Sequence, residues 1–583
     1  MLTYDLSTRG EDPLYVAIYK HIRADVESGA IEPHEKLPSK RALARNLGVG
    51  VITVEAAYAQ LVAEGYLYAE TRRGYFACDI LAHAAPLPPA APVDRSPGAH
   101  ASGERSTAGG AYASRASATR GPQRHATRGG QGDGPGVSAR DRMRAETPGP
   151  HRGGIGNPTP ASGGSRSASS AKRHAEPAAH ASRDPKAARR AHAAGAGAVR
   201  FDLASGAAAE GSFPFSTWAK ALRDTLSDGP KDALVRAGDP CGTERLRRAI
   251  CRHLRQTRGL DADPACVVVG AGAQVLYNLV VQLLGRPACV GLEDPGYSKL
   301  ARIYECNGLS VEHLPLDSLG IRADAVRASD VRLLHITPSH QFPTGIVMPA
   351  SRRYELLAWA TEADGRYILE DDYDCEFRLA GKPVPTLQGI DRSERVIYAN
   401  TFSKSLGPAF RIAYLVLPDH LARAWRERLG FYTCTVPAID QMALARFIER
   451  GDLERFVNRT KTRCRTVRDA LVGALTNTPA ARRLSFEGLD SGLHFVMGID
   501  ARGTGDPDED AALDCAMAES IRRQDVAVEP LSRYCSRPAA LARASSPAPG
   551  RTTCRLVVSY AALPAERARA AAEALSRGIA PFL

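Results

Sequence analysis

The sequence predicts a three-part chain: a small helical unit closing on a β-hairpin, a long disordered linker, and a large α/β unit built on parallel strands. Three observations carry this reading. Residues 13–78 repeat apolar positions at helical spacing and end in a short β-type run. Residues 79–200 are dominated by Ala, Gly, Ser, Pro and Arg, with Tyr112 the only aromatic residue. From residue 201 onward, short apolar runs lead into polar residues and amphipathic stretches, the pattern of buried parallel strands joined by helices. The chain has 583 residues, too many for a single domain of about 150.

Composition sets further bounds. No apolar run approaches the roughly 18 residues of a membrane span. The N-terminal MLTYDLSTRGEDPLY lacks the basic-then-apolar pattern of a signal peptide. Twelve cysteines are scattered singly, without C-x-x-C or cysteine–histidine ligand spacing, so a reduced, cytoplasmic chain without a metal site is expected. The formal charge is +12, yet residues 81–200 alone hold 18 Lys+Arg against 7 Asp+Glu. The basic excess lies almost wholly in the linker.

The first unit, residues 1–78, begins with PLYVAIYKHIRADVESG, where Tyr15, Tyr19, Ile22 and Val26 share a helix face and Gly29 supplies the C-cap. In LPSKRALARNLG, Ser39 is the N-cap, Leu43 and Leu47 point inward, and Gly48 ends the helix. A third helix, ITVEAAYAQLVAEGYL, turns Val54, Ala57, Tyr58 and Leu61 to one side. YLYAETRRGYFAC reads as a hairpin with Arg72, Arg73 and Gly74 at its tip. This order is that of a winged helix–turn–helix, whose third helix enters the major groove while the wing meets phosphates. The words LPSKRALA, TVEAAYAQL and EGYL resemble the GntR family of DNA-binding regulators. The resemblance implies that Ser39, Lys40, Arg41 and Arg45 approach DNA from the second helix, and Arg72 and Arg73 from the wing. Thr53 and Glu55 are candidates near the start of the recognition helix. Gly50 and Val51 stand where the family usually carries Ser-Arg, which removes one expected contact. The unit itself is not basic, with 9 Lys+Arg and 10 Asp+Glu in residues 1–78.

Residues 79–200 cannot bury enough apolar surface to offset chain entropy and are expected to be disordered. As a flexible coil they would span about 60 Å. Their charge either adds salt-sensitive, non-specific DNA affinity or merely accompanies a tether; the composition leaves both open.

The large unit, residues 201–583, is organised around residues 366–418. Two apolar runs, 367–369 and 396–398, lead respectively into Asp371 and Tyr373 and into the tetrad Thr401-Phe402-Ser403-Lys404. Pyridoxal phosphate (PLP) needs that set: a lysine amine for its Schiff base, a carboxylate for its pyridine nitrogen, and hydroxyls, amides and an arginine for its phosphate. The pattern resembles fold-type I aminotransferases, in the version carried by the MocR/GabR regulators. The resemblance implies that Lys404 is the aldimine lysine, that Asp371 partners the pyridine nitrogen, and that Tyr373 bonds the phenolic oxygen. Thr401 and Arg411 would grip the phosphate. Other blocks extend the resemblance over essentially all of the large unit. AGDPCGTERLRRAICRHLRQTRGL looks like a turn and amphipathic helix of that family. In VVVGAGAQVLYNLVVQLLG, a helix N-terminus at Gly272, Ala273 and Gln274 would face the phosphate. In GLEDPGYSKL, Tyr297 stands where the family stacks a ring on the cofactor. ITPSHQFPTGIVMP resembles the MocR signature that replaces Asn-Pro-x-Gly, and makes His340 and Gln341 cofactor-side candidates. Arg555, opening RLVVSYAAL, would bind an effector carboxylate, with Arg551 as competitor. DARGTGDPDEDA and SRPAALARASSPAPG read as surface loops. Ala271, Ala273 and Ala237 replace residues that relatives use around the phosphate.

Three functions share this architecture. One is a PLP-dependent regulator, a homodimer binding an operator and sensing an amino compound or PLP. The second is a working aminotransferase with an accessory DNA-binding unit, and the third a regulator whose sensor has lost PLP. The winged unit favours the first, because a sensor requires an output whereas a metabolic transaminase gains nothing from one. Such a regulator would be nucleoid-associated when bound to DNA.

Overall fold

A computed structural model describes residues 2, 4, 6, 13–70, 73–80, 199–206, 209, 211–229, 231–379, 385–490, 492–504, 506–537 and 550–583. Most of the expected linker, Arg72 at the hairpin tip, and nearly all of the loop 536–550 lie outside them.

In the N-terminal unit, α1 (Leu14–Ser28) ends where Gly29 turns left-handed at φ 77° and returns its N–H to Val26. Helix α2 (Lys40–Leu47) starts where the Ser39 hydroxyl accepts the Ala42 amide, and stops at Gly48, φ 65°. Helix α3 (Val51–Ala63) follows from Gly50. Strands β1 (Leu67–Glu70) and β2 (Gly74–Ala77) form the antiparallel hairpin. Ile18, Ile22, Val26, Leu43, Val54, Tyr58 and Leu61 are all essentially sealed from solvent, each side chain contributing about 2 kcal/mol of burial. The stripe of α1 centres on Ile18 and Ile22. Tyr15 and Tyr19, expected on that face, are half-buried at its edge, where the Tyr19 hydroxyl donates to Glu64. Leu47 is likewise only half-buried, in the last turn before Gly48.

The large unit carries an eight-stranded sheet ordered β4-β11-β10-β9-β8-β5-β6-β7. Here β4 is Val267–Gly270, β5 Cys289–Asp294, β6 Ser310–Asp317, β7 Gly320–Ile321, β8 Leu333–Ile336, β9 Tyr367–Asp371, β10 Val396–Thr401 and β11 Ala413–Val416; β3 (Phe201–Asp202) and β14 (Val526–Ala527) form a separate parallel pair. Strands β6, β5, β8, β9 and β10 run parallel, whereas β11 and β7 are antiparallel to their neighbours. All residues of β4, β8, β10 and β11 are buried, which is why these runs are mostly apolar instead of alternating, with His335, Asn400 and Thr401 as buried polar exceptions. Helix α4 (Ala273–Leu283) leaves β4, α5 (Lys299–Cys306) follows β5, and α6 (Ala350–Thr361) precedes β9.

A second, four-stranded antiparallel sheet, β12-β13-β16-β15, completes the chain. Its strands are Leu484–Glu487, His494–Arg502, Arg551–Ser559 and Glu529–Pro530. The helices Asp452–Leu475 and Ala568–Ile579 share its core. Two expectations change here. The stretch DARGTGDPDEDA is a loop only in its middle, since a strand reaches Arg502 and a helix starts at Pro507. The last strand starts at Arg551, four residues before Arg555. Among the described residues, no helix is long and apolar enough to cross a membrane.

Candidate cofactor and effector site

The parallel register sets Ala399 of β10 beside Asp371 of β9, so the carboxyl ends of both strands open into one cleft of about 650 Å³. Asp371, Tyr373, Thr401, Ser403, Lys404 and Arg411 all line it. Lys404 projects from a tight turn: Phe402, 1% exposed, anchors that turn, the Leu406 amide reaches Phe402 O at 2.7 Å, and the Phe402 amide reaches Ile412 O at 2.9 Å. Burial lowers the pKa of the Lys404 amine, with the Asp374 carboxylate opposing the shift. The open side of Gly206 faces this amine and the Ser559 hydroxyl, each 3.7 Å from where a β-carbon would sit.

Asp371 is held from behind. Its Oδ2 accepts the Tyr277 hydroxyl at 2.7 Å and lies 3.5 Å from His335 Nε2, while Tyr304 contacts His335 Nδ1 at 2.8 Å. Tyr277, His335 and Tyr304 fix the direction of the carboxylate, and no motif in the sequence pointed to them. Burial drives the Tyr277 phenol well above its usual pKa, so it stays a proton donor. Glu293 lies in the wall of the same cleft. Burial pushes its carboxyl up to about 7 against bonds from Thr337 and Gln341.

Donors of the kind an anion needs gather at the opposite end. Gly272 caps α4 at φ 91°, and a β-carbon there would collide with Arg411 Nη2. The missing side chain is what lets the Arg411 guanidinium cross the helix N-terminus. Arg411 itself adopts φ 51° and reaches Ala271 O at 3.4 Å. The Thr401 hydroxyl donates to Ser403 Oγ at 2.8 Å, and the Ser403 amide returns to Thr401 Oγ1 at 3.1 Å. Ala273 and Gln274 open α4 and line the cleft beside them. Helix amides, two hydroxyls and a guanidinium suit a phosphate.

Three sequence candidates are absent from the cleft lining. His340 lies behind Tyr373, its Nδ1 3.1 Å from the Tyr373 hydroxyl and 2.8 Å from Asp374 Oδ2. His340, Asp374 and His494 make a buried cluster with ligand-type atoms within 4.8 Å of one another. Burial, with His340 adding to it, lowers His494 to about 3, which keeps it neutral. Gln341 is internal, with its Nε2 on Pro295 O and Phe342 O. Thr337 and Phe342 of the signature segment reach the cleft, Phe342 edge-on to Tyr297 at 5.9 Å. Arg555 is the third, and its charge reaches the cleft-lining Cys535. Of the described arginines, Arg302, Arg411 and Arg533 line the cleft, and Arg555 does not. Arg555 sits opposite Gly498 and 3.9 Å from Glu487, while Arg551 is committed to Asp500 at 2.8 Å. Arg533 comes from the turn Leu531–Tyr534, which hangs over the cleft because the Gly296 amide bonds Tyr534 O at 2.9 Å.

On the winged unit, Arg41 and Arg45 are exposed. Lys40 and Glu55 instead pair with each other at 2.5 Å, bridging α2 and α3. Arg73 pairs with Glu70 and lies 5.6 Å over the Phe76 ring. Thr53 is half-buried in the first turn of α3.

Comparison with known proteins agrees with both units. Residues 200–575 match the family of class I and II aminotransferases, and residues 14–76 match the bacterial regulatory proteins of the gntR family. The chain is 31% identical over 487 residues, 84% of each chain, to an uncharacterised HTH-type transcriptional regulator, YdeL, of Bacillus subtilis. It is 28% identical to the probable rhizopine catabolism regulatory protein MocR of Rhizobium meliloti, covering 83% of this chain and 81% of that one. It is 35% identical to the pyridoxine biosynthesis regulator PdxR of Corynebacterium glutamicum over 48% of this chain and 60% of that one. The multiple substrate aminotransferase of Thermococcus profundus shares the fold, with TM-score 0.56 at 24% identity over 68% of this chain and 95% of that one. The chain therefore belongs to the MocR/GabR subfamily of GntR-type transcription regulators, joining a winged helix–turn–helix to an aminotransferase-like unit.

Proposed function

We propose that this regulator holds PLP in the cleft at Lys404 and adjusts its DNA binding when an amino compound, or PLP itself, occupies that cleft. The observation that carries the proposal is the juxtaposition of the Lys404 amine, the Asp371 carboxylate and the Arg411 anion site around one cleft. Bound there, the cofactor would supply an electrophilic carbonyl carbon that captures primary amines.

The chain's own residues have separable tasks. Lys404, with its lowered pKa, keeps more of its amine neutral and nucleophilic than an exposed lysine would. Asp371, oriented by Tyr277, would hold a proton on the ring nitrogen. Tyr373 would donate to the phenolic oxygen, and Tyr297 and Phe342 would confine the ring. Arg411, Thr401, Ser403 and the first amides of α4 would take the phosphate. Alanines at 271 and 273 leave that grip with fewer hydroxyls than a dedicated enzyme has. Arg533, which lines the cleft, would join Arg555 in meeting an effector anion. Arg41, Arg45 and Arg73 would contact DNA phosphates. The exposed rings of Phe215 and Phe431, at 67% and 76%, are apolar area that a second copy would cover, and a homodimer calls for two operator half-sites.

The test is a visible-absorption titration with PLP of the wild type beside Lys404→Ala. A saturable band lost in the variant supports the reading. No band at any concentration up to millimolar overturns it.

A further inference from the structure

The signature segment 337–349 has one end in the effector cleft and the other against the DNA-binding unit. Thr337 and Phe342 line the cleft. The segment is closed on itself, with the Met348 amide on Pro338 O at 2.9 Å and the Gln341 amide on Ile346 O at 2.8 Å. Arg353 of α6, 1% exposed, clamps both ends: its Nε donates to Met348 O and its Nη2 to Pro338 O, each at 3.0 Å. Arg258 holds Ser339 Oγ at 2.8 Å. A segment bound this way shifts as a body more readily than it bends.

Its far end touches the winged unit. The Ala350 amide donates to the carbonyl of Glu64 at 2.8 Å, and Glu64 is the C-cap of α3. At Gly65, φ 76°, a β-carbon would fall 2.5 Å from Pro349 Cβ, so glycine permits the approach. Ala350, 2% exposed, is part of the winged unit's own apolar core, and Tyr354 packs against the same core. Helix α3 is 13 residues long, a rod of about 20 Å whose first turn is the one expected in the major groove.

We infer that the N-terminal end of α6, with Pro349, Ala350 and Tyr354, is the docking surface for the DNA-binding unit, and that segment 337–349 carries cleft occupancy to it. A displacement at Phe342 moves the Pro349–Ala350 end and with it the C-terminal end of the recognition helix. The transmission rests on the ligand reading above; the docking does not.

The two parts separate in one hydrogen-exchange experiment on the full chain. Ala350→Glu puts a charge into the docked face while suiting a helix first turn; Tyr354→Ala is the second variant should the first fold poorly. Without ligand, residues 61–67 should exchange about tenfold faster in either variant than in the wild type. Equal exchange in all three overturns the docking. Added PLP should alter exchange in 340–348 in all three proteins, and in 61–67 by about threefold or more in the wild type alone. A response at 61–67 that persists in Ala350→Glu overturns the route. A PLP absorption band with no response at 61–67 in the wild type overturns the transmission while sparing the cofactor reading. Absence of the band refutes the cofactor reading, and the transmission with it, whereas the ligand-free comparison still decides the docking.

Discussion

Glu64 should make the DNA-binding unit more stable in acid than at neutral pH. Its side chain is 1% exposed at the end of α3, where it accepts the Tyr19 hydroxyl at 2.6 Å and the Gln60 amide. Burial raises its pKa from 4.5 to about 7; bonds from Tyr19 and Gln60, and the charges of Arg23 and Arg353, only partly oppose it. A carboxyl with a raised folded-state pKa stabilises while protonated, so its contribution is intact below about pH 4.5 and is lost as pH rises to about 7. At roughly 1.4 kcal/mol per unit the whole loss is about 3 kcal/mol, and about 2 kcal/mol falls between pH 5 and 7.5. Glu64→Gln keeps an acceptor for Tyr19 and removes the titration. Tryptophan fluorescence is the wrong probe, because Trp218, Trp359 and Trp425 all lie in the large unit. Native-state hydrogen exchange of α3 peptides, corrected for intrinsic pH dependence, reads the right one. The wild type should lose protection across this range and Glu64→Gln should stay flat. Parallel losses in the two proteins, or none in the wild type, would refute the reasoning.

Three other outcomes follow from single contacts. Gly272→Ala puts a β-carbon on the Arg411 guanidinium and should weaken PLP binding about tenfold to a hundredfold, read by absorbance titration; unchanged affinity would remove Arg411 from the phosphate site. Arg258 pairs with buried Asp372 at 2.9 Å, so Arg258→Ala leaves a buried carboxylate supported, among the described residues, by the Tyr398 hydroxyl at 2.8 Å and the charge of Arg353. The cost should be about 3–5 kcal/mol by denaturant titration, and a loss under about 1 kcal/mol would count against that account. Arg41→Ala and Arg73→Ala should each weaken duplex DNA binding and lower the salt slope by about one. An unchanged slope for either would take that residue out of the interface.

How much was legible depended on whether a function was local. Ser39, Gly29 and Gly48 announced α1 and α2 because capping is settled within a few residues. Lys404, Asp371 and Arg411 could be read because strand ends and the turns after them place side chains by short spacing. The supports of Asp371 could not: Tyr277, His335 and Tyr304 come from three different elements. Each alone looks like an ordinary core residue on an apolar face. Arg533 was invisible for a related reason. An arginine in the last strand, Arg555, matched the expected chemistry, whereas the turn carrying Arg533 also reaches the cleft, and a sequence does not show which loop folds over which strand.

The signature S-H-Q-F-P-T-G shows what this means for function. Read as a cofactor-binding word, it offered His340 and Gln341. In three dimensions its residues divide among four tasks. Phe342 faces the cleft, His340 backs Tyr373, Gln341 secures the loop from inside, and Ser339 is held by Arg258. A loop that only bound a cofactor would not need a buried arginine at each of two anchoring points, since each arginine carries a desolvation penalty that only good partners offset. Rigidity is what those anchors add. A rigid piece spanning from the cleft to α6 can convert a small displacement at one end into an equal one at the other, where a soft loop would absorb it. Segment 337–349 is thus the piece that reaches both the cleft, at Thr337 and Phe342, and, through Pro349 and the adjoining Ala350, the C-terminal end of α3.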